Sequence, residues 1–233
     1  MPILTKRQNK TPLGIYVHIP FCRSKCQYCD FYSLPCKDDA LMDSYLDAVC
    51  AHIKEAGALA PGYKVDSVYF GGGTPSYFGA DALAIILTTI RRNFDVTGDA
   101  EITFEANPDS VSDKFLRRMR AEGFNRVSMG VQSDNDEMLK KLGRPHTYAQ
   151  AVTALEALKD QVDVTLCIYH GGFERDLATG RVLSATHENV AYRLCQELDF
   201  DLLLTGHQHM TVHGQTLNHT FVVQPTDRGQ EFL

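Results

Sequence analysis

Cys22, Cys26 and Cys29 fall within eight residues, in the spacing CxxxCxxC, directly after an apolar run that ends at Pro20. Three thiols on one short loop can converge on one point, and thiolates are the ligands that iron–sulfur clusters take. A structural cluster prefers four protein thiolates, so a set of three leaves one iron open to a further ligand. The alternative is three buried cysteines spaced by accident, and random placement of the other cysteines gives this spacing in roughly 0.4% of trials. The chain carries seven cysteines in all. An odd count with three packed together argues against a secreted disulfide framework and for reduced thiols that hold a metal. Gly71, Gly72 and Gly73 follow a second apolar run that ends in Tyr69 and Phe70. Glycine lets the backbone come close to a ligand, although three glycines also read as a plain turn.

These residues need a scaffold that delivers loops to one place. Runs rich in β-branched and aromatic residues over 15–19, 65–70, 101–104, 126–131 and 162–169 read as strands. Helical patterns alternate with them. One spans about 39–56, with Leu41, Tyr45, Val49 and Ile53 on a single stripe; others follow Asp81, Ser112 and Thr147, where Gln150 completes a capping-box pattern. The expected class is α/β, with parallel-sheet logic. Loops at the C-terminal ends of such strands are free to vary while the sheet is not, and the motifs fall there.

The sequence around the cysteines, YVHIPFCRSKCQYCDF, followed by VYFGGGTPS, EANP, SMGVQS and KKLGR, resembles the HemW/HemN branch of the radical S-adenosylmethionine (SAM) proteins over about residues 14–158. The resemblance implies a partial (β/α) TIM-like barrel whose 4Fe-4S cluster, on Cys22, Cys26 and Cys29, reduces SAM to methionine and a 5'-deoxyadenosyl radical. It further implies that Tyr16 and Tyr28 flank cluster and SAM, and that Gly72, Gly73 and Thr74 meet the amino-acid end of SAM through the backbone. Glu105 would accept from a ribose or amino group, while Gln132 and Arg144 would hold ribose and carboxylate. Taken singly, Glu105, Gln132 and Arg144 also read as solvated surface residues. Coproporphyrinogen dehydrogenases of the branch resemble CxxxCxxCxC, and here Phe31 stands at the fourth of those positions. The chain is therefore more similar to the haem chaperones, with haem and a haem-accepting protein as implied partners. Cys36 and Cys50 read as ordinary thiols.

The tail differs. Residues 1–159 hold 10 Lys and 9 Arg against 19 acids, whereas residues 160–233 hold 4 Arg, no Lys and 10 acids, so the net charge of −6 sits in the tail with six of the nine histidines. The expected organisation is an extension over 1–13, a truncated radical SAM core over 14–158, and a different fragment over 159–233. Where the family carries a ribose-binding aspartate on strand five, this chain has Cys167. YHGGFERDLATG, ENVAYRLCQEL, DLLLTGHQH and VVQPTDRGQ instead resemble the end of the 5'-nucleotidase and 2',3'-cyclic-nucleotide phosphodiesterase domain, a metallophosphoesterase fold. His170, His207 and His209 could converge after adjacent strands on one divalent ion, or be polar loop residues. A two-metal site needs upstream carboxylate motifs, and the sequence has no Asp-x-His and no Gly-Asn-His run; its one Asn-His pair, Asn218-His219, follows Leu217 in the tail.

Three readings follow: a truncated HemW-like protein whose tail supplies strands five and six of the sheet, a phosphoesterase, and a chimera without integrated activity. The first combined with the third is preferred, with enzymatic activity left open. No basic patch interleaved with aromatics suggests nucleic acid. No run approaches the roughly 20 apolar residues of a membrane span or the pattern of a signal peptide, so a cytoplasmic location is expected.

Overall fold

The computed structural model describes residues 10–226; positions 1–9 of the extension and the end of the VVQPTDRGQ motif lie outside the described residues. The chain divides into two compact units, Met1–Gln161 and Val162–Leu233.

In the first unit, strand β1 (Thr11–Ile19) leads into the short pair β2 (Phe21–Cys22) and β3 (Leu34–Pro35), then helix α1 (Asp39–Ala58). Strand β4 (Tyr63–Gly72), helices α2 (Pro75–Phe78) and α3 (Ala80–Asn93), and strand β5 (Val96–Ala106) follow. Helix α4 (Asp113–Glu122), strand β6 (Arg126–Met129), and helices α5 (Asp136–Lys141) and α6 (Tyr148–Lys159) complete it. The sheet order is β1-β4-β5-β6 and every neighbouring pair is parallel, so all four strands end on one side. The central strands bury Val65, Val68, Phe70, Ile102, Thr103 and Phe104. Strands covered on both faces lose the simple in–out alternation, as expected of a parallel sheet flanked by helices.

Helix boundaries follow local chemistry. Asp38 accepts from the Leu41 amide (3.2 Å) at the start of α1, and Ser112 accepts from the Phe115 amide (3.2 Å) at the start of α4. Gly123 closes α4 at φ 90°, a left-handed position glycine adopts without a Cβ penalty. Thr147 and Gln150 form the reciprocal capping box at α6. Leu83, Ile86, Leu87 and Ile90 of α3 are completely buried on one stripe; each contributes about 1.5–3 kcal/mol relative to exposure. The stripe of α1 is only half-buried or exposed along its whole length.

The second unit has strand β7 (Leu166–Ile168), helix α7 (Ala191–Glu197), and strands β8 (Leu202–Leu204), β9 (Val212–Leu217) and β10 (Thr220–Gln224). Its sheet order is β7-β8-β10-β9, with only β9 antiparallel. Phe173, Ala191, Cys195, Leu203, Val212 and Val222 form its core, with Cys167 packed against them. Two expectations are corrected here. The tail does not add strands five and six to the first sheet; β7 takes β8 as its partner in a separate one. The run over 162–169 yields a strand of only three residues, because the Asp201 carboxylate captures the Thr165 amide (2.6 Å) and hydroxyl (2.7 Å) where the ladder would otherwise have begun. Among the described residues, no helix is long and apolar enough to cross a membrane.

Candidate functional site

The loop after β1 carries the three cysteines. Pairing of β2 with β3 closes it at its base, and Lys25 Nζ ties it across by donating to Phe31 O (2.6 Å) and Ser33 Oγ (2.9 Å). Arg23, at its start, pairs with the nearly buried carboxylate of Asp109 (3.2 Å). The turn after α5 holds the loop from the other side: Gln27 N donates to Leu142 O (3.0 Å) and Ser24 Oγ to Gly143 O (3.4 Å). A Cβ on Gly143 would lie 3.4 Å from Lys25 O and 3.5 Å from Cys26 Cα, and the residue has φ 73°. Those are ordinary contact distances, so it is the left-handed turn that calls for glycine there. Cys22 is buried, Cys26 and Cys29 are half-buried, and all three are free thiols.

The glycine tract ends β4 against this loop. Gly73 N donates to Ile19 O (2.7 Å), Thr74 N to Phe21 O (2.8 Å), and Gly72 N to Glu105 Oε2 (3.2 Å). All three amides are thus committed to protein acceptors. Gly72 has φ 110°, and a Cβ on it would meet the His18 ring at 2.6 Å.

Two side chains meet two of the thiols, Thr74 after β4 and Arg144 after α5. Thr74 Oγ1 donates to Cys22 Sγ (3.5 Å) and Arg144 Nη1 to Cys26 Sγ (3.7 Å). Asn107 lies between these donors: its Nδ2 donates to Thr74 Oγ1 (3.4 Å) and its Oδ1 accepts from Arg144 Nη2 (2.7 Å). Arg144 also reaches Gly130 O (2.5 Å) and the Tyr28 hydroxyl (3.4 Å). Its partners are all uncharged oxygens and one thiol, and its buried Nε has no partner among the described residues. Gln132 takes φ 74°, which is unusual for a residue with a side chain, and its exposed amide makes no hydrogen bond among the described residues.

An aromatic group stands beside this network. His18 Nε2 donates to Tyr32 O (2.8 Å), and its Nδ1 shares a hydrogen bond with the Tyr16 hydroxyl (3.1 Å). Tyr16 stacks on Tyr69 at 6.1 Å between centroids, and Tyr69 donates to Glu105 Oε1 (2.7 Å). Burial first, then that hydrogen bond to the carboxylate, push the Tyr69 phenol up to about 12. Burial and the Glu105 charge also raise Tyr16, and burial raises Tyr28 against the opposing pull of Arg144. Burial, reinforced by the Arg144 charge, lowers His146.

Of the residues expected from sequence, Cys22, Cys26, Thr74, Arg144 and Tyr28 are joined by hydrogen bonds, and Tyr16 and Glu105 are linked through Tyr69. Asn107, His18 and Tyr69 were missed as individual site residues, although each stands inside a motif already singled out. Cys36 instead accepts from the Asp38 amide (3.4 Å) at the start of α1, and Cys50 accepts from Thr89 (3.6 Å).

In the second unit His170 and His207 meet edge to face at 5.3 Å, and His207 Nε2 bonds to Glu188 Oε1 (2.7 Å). Gln208, between the two histidines of the GHQH motif, bonds Phe173 at its amide (2.7 Å) and its carbonyl (2.9 Å). Among the described residues no group of three His, Cys, Asp or Glu is placed to hold a single metal ion, which covers His170, His207 and His209 and the three cysteines alike. Through Gln208 the GHQH turn clamps the Phe173 backbone. A four-iron cluster takes each cysteine on a different iron and does not ask three thiols to share one ion.

The model of the radical SAM superfamily matches residues 16–177, well over half the chain. The chain belongs to the radical SAM superfamily. The matched segment begins in β1 and runs into the second unit as far as Leu177. The heme chaperone HemW of Escherichia coli is 42% identical over 144 residues, which are 61% of this chain and 38% of that protein. The oxygen-independent coproporphyrinogen III oxidase of E. coli is 38% identical over 138 residues, 59% of this chain and 30% of its own length. The solved structure of coproporphyrinogen III oxidase (HemN) from E. coli superposes with a TM-score of 0.69 at 30% identity, covering 86% of this chain and 45% of that one. The chain is thus a partial HemW/HemN-like protein of the radical SAM (β/α) fold, spanning less than half the length of these relatives.

Proposed function

We propose that this chain holds a 4Fe-4S cluster on Cys22, Cys26 and Cys29, binds SAM beside it, and is related to haem handling in the manner of HemW. The observation that carries the reading is the hydrogen-bonded chain from Cys22 through Thr74, Asn107 and Arg144 to Cys26. Thr74, after β4, and Arg144, after α5, are far apart in sequence and aim donors at two of the three free thiols. When bound, the cluster supplies an electron to the SAM sulfonium at its open iron.

The remaining chemistry suits an amino acid. Arg144 has no carboxylate partner of its own among the described residues, and Glu105 has no cation, so each is available for an opposite charge. An ammonium donates and needs acceptors; with the amides of Gly72, Gly73 and Thr74 spent, the tract offers it carbonyl oxygens. The amide of Gln132 is open to a ribose hydroxyl, and Tyr16 and Tyr28 supply partly exposed rings to flank the ligand. Phe31, 65% exposed at the position that separates the two branches, supports the chaperone over the dehydrogenase, with haem and a haem-accepting protein as partners. Residues 159–233 are read as a metallophosphoesterase-like fragment, to which no hydrolysis is assigned because the bridging carboxylates of a two-metal site are absent.

The test is anaerobic reconstitution with iron and sulfide, then electron paramagnetic resonance of the reduced protein with and without SAM. A 4Fe-4S signal that changes on adding SAM is expected. A cluster indifferent to SAM would refute the SAM site, and no cluster would refute the whole reading.

A further inference from the structure

Asn107 occupies the position after β5, and its main chain is fixed on both sides. Its amide donates to Ser76 Oγ (3.2 Å), and its carbonyl accepts from Ser110 N (3.0 Å) and Ser110 Oγ (2.9 Å). Pro108 follows, which holds Asn107 out of the helical region, at φ −107° and ψ 146°. A backbone pinned in this way leaves the side chain one task, and that task has a direction. Arginine only donates, so the Asn107 oxygen must face Arg144 and the NH2 must face Thr74. With the Thr74 hydroxyl accepting from Asn107, its single hydrogen is left for Cys22 Sγ at 3.5 Å. Arg144, held through Nη2 by Asn107 at 2.7 Å, directs Nη1 to Cys26 Sγ at 3.7 Å. One amide therefore sets which way the hydrogens point at two thiols. Among the described residues, no side-chain donor reaches Cys29 in the same way.

We propose that Asn107 is a positioning residue for the cluster thiolates: it orients the Thr74 hydroxyl and the Arg144 guanidinium toward Cys22 and Cys26 and so raises the reduction potential of the cluster. The proposal rests on the cluster reading given above. Hydrogen bonds to cluster sulfurs withdraw electron density and favour the reduced state, and partners outside the ligand set orient the groups that make them. Without the Asn107 amide, the Thr74 hydroxyl can rotate away from Cys22 and the guanidinium loses its anchor.

The experiment uses the full chain, reconstituted anaerobically without SAM, and titrates the cluster potentiometrically by electron paramagnetic resonance. Iron and sulfide content are measured on every sample. Asn107→Ala is expected to load the cluster, since the cysteines are untouched, but to disfavour one-electron reduction by about tenfold, which is a potential about 59 mV more negative. Thr74→Val should shift it in the same direction by less. In the double variant Thr74→Val should add little to Asn107→Ala, because the hydroxyl acts through the amide. A merely structural role would lower cluster content or stability and leave the potential of the loaded fraction where it was. Full loading of Asn107→Ala with a reduction equilibrium within twofold of the parent overturns the proposal, as does strict additivity of the two substitutions. If Asn107→Ala does not load, Thr74→Val decides, and an unchanged potential there overturns it. Failure of the parent chain to load overturns the cluster reading as well, which separates the two failures.

Discussion

Replacing Gly73 by alanine should damage the site through packing alone. An added Cβ would stand 2.7 Å from Phe21 O, 2.8 Å from Ile19 O and 2.9 Å from Pro20 C, all backbone atoms that no rotamer can move aside. Those same carbonyls accept the Gly73 and Thr74 amides at 2.7 and 2.8 Å, so the cluster loop can make room only by stretching both hydrogen bonds. Overpacking costs about 1–3 kcal/mol and each weakened hydrogen bond about 1 kcal/mol more, which with partial relaxation gives about 3 kcal/mol. That corresponds to a rise of roughly a hundredfold in the opening equilibrium of the first unit. Because two compact units need not melt together, hydrogen exchange read by mass spectrometry on peptides from 63–106 is the proper assay. Gly98→Ala is the control, since nothing lies within 4 Å of its Cβ position. If Gly73→Ala exchanges like Gly98→Ala, the close approach of the glycine tract to the cysteine loop is wrong.

Cys26→Ala should abolish cluster loading while Cys36→Ala should not, since the Cys36 thiol is engaged at the start of α1; iron content and visible absorbance after reconstitution decide it. The raised Tyr69 phenol makes a pH-dependent contribution of definite sign. A group whose folded pKa is raised stabilises fully below its unfolded value, so the contribution is present below about pH 10 and is lost as pH rises towards about 12. Tyr69→Phe should flatten the decline of stability across that window, as followed by denaturation at stepped pH, and an unchanged slope would mean the Glu105 contact does not hold the proton on the phenol.

Much of this was readable in the sequence, for reasons that differ by element. The run over 65–70 is rich in β-branched and aromatic residues, so it announced a strand, observed as Tyr63–Gly72. Thr147 and Gln150 are three residues apart and satisfy each other locally, so the start of α6 was visible too. The cysteine spacing pointed to the loop because all three ligands lie on it. Asn107 was harder: its partners Thr74 and Arg144 are 33 and 37 positions away, and no local pattern reveals them. His18 was hidden in the same way, since its meaning depends on the Tyr32 carbonyl and on the space left by Gly72. The reading of 162–169 as one long strand failed through Asp201, 36 positions on. Composition identified the change of character near Lys159, but pairing of β7 with β8 rather than with the first sheet is a tertiary choice that periodicity does not encode.

The bond between Arg144 and Cys26 spans 118 positions. On a ribosome adding about 5–20 residues per second, the cysteine loop is made roughly 6–24 s before the arginine that will donate to it. During that interval the thiols are exposed and lack the donors that distinguish them from any other cysteines. It follows that metal captured during synthesis would be held by an unfinished site, and that the order of events favours folding first and loading afterwards. A cell producing this chain quickly, or in air, would meet the cost as oxidised thiols before it met it as lost activity.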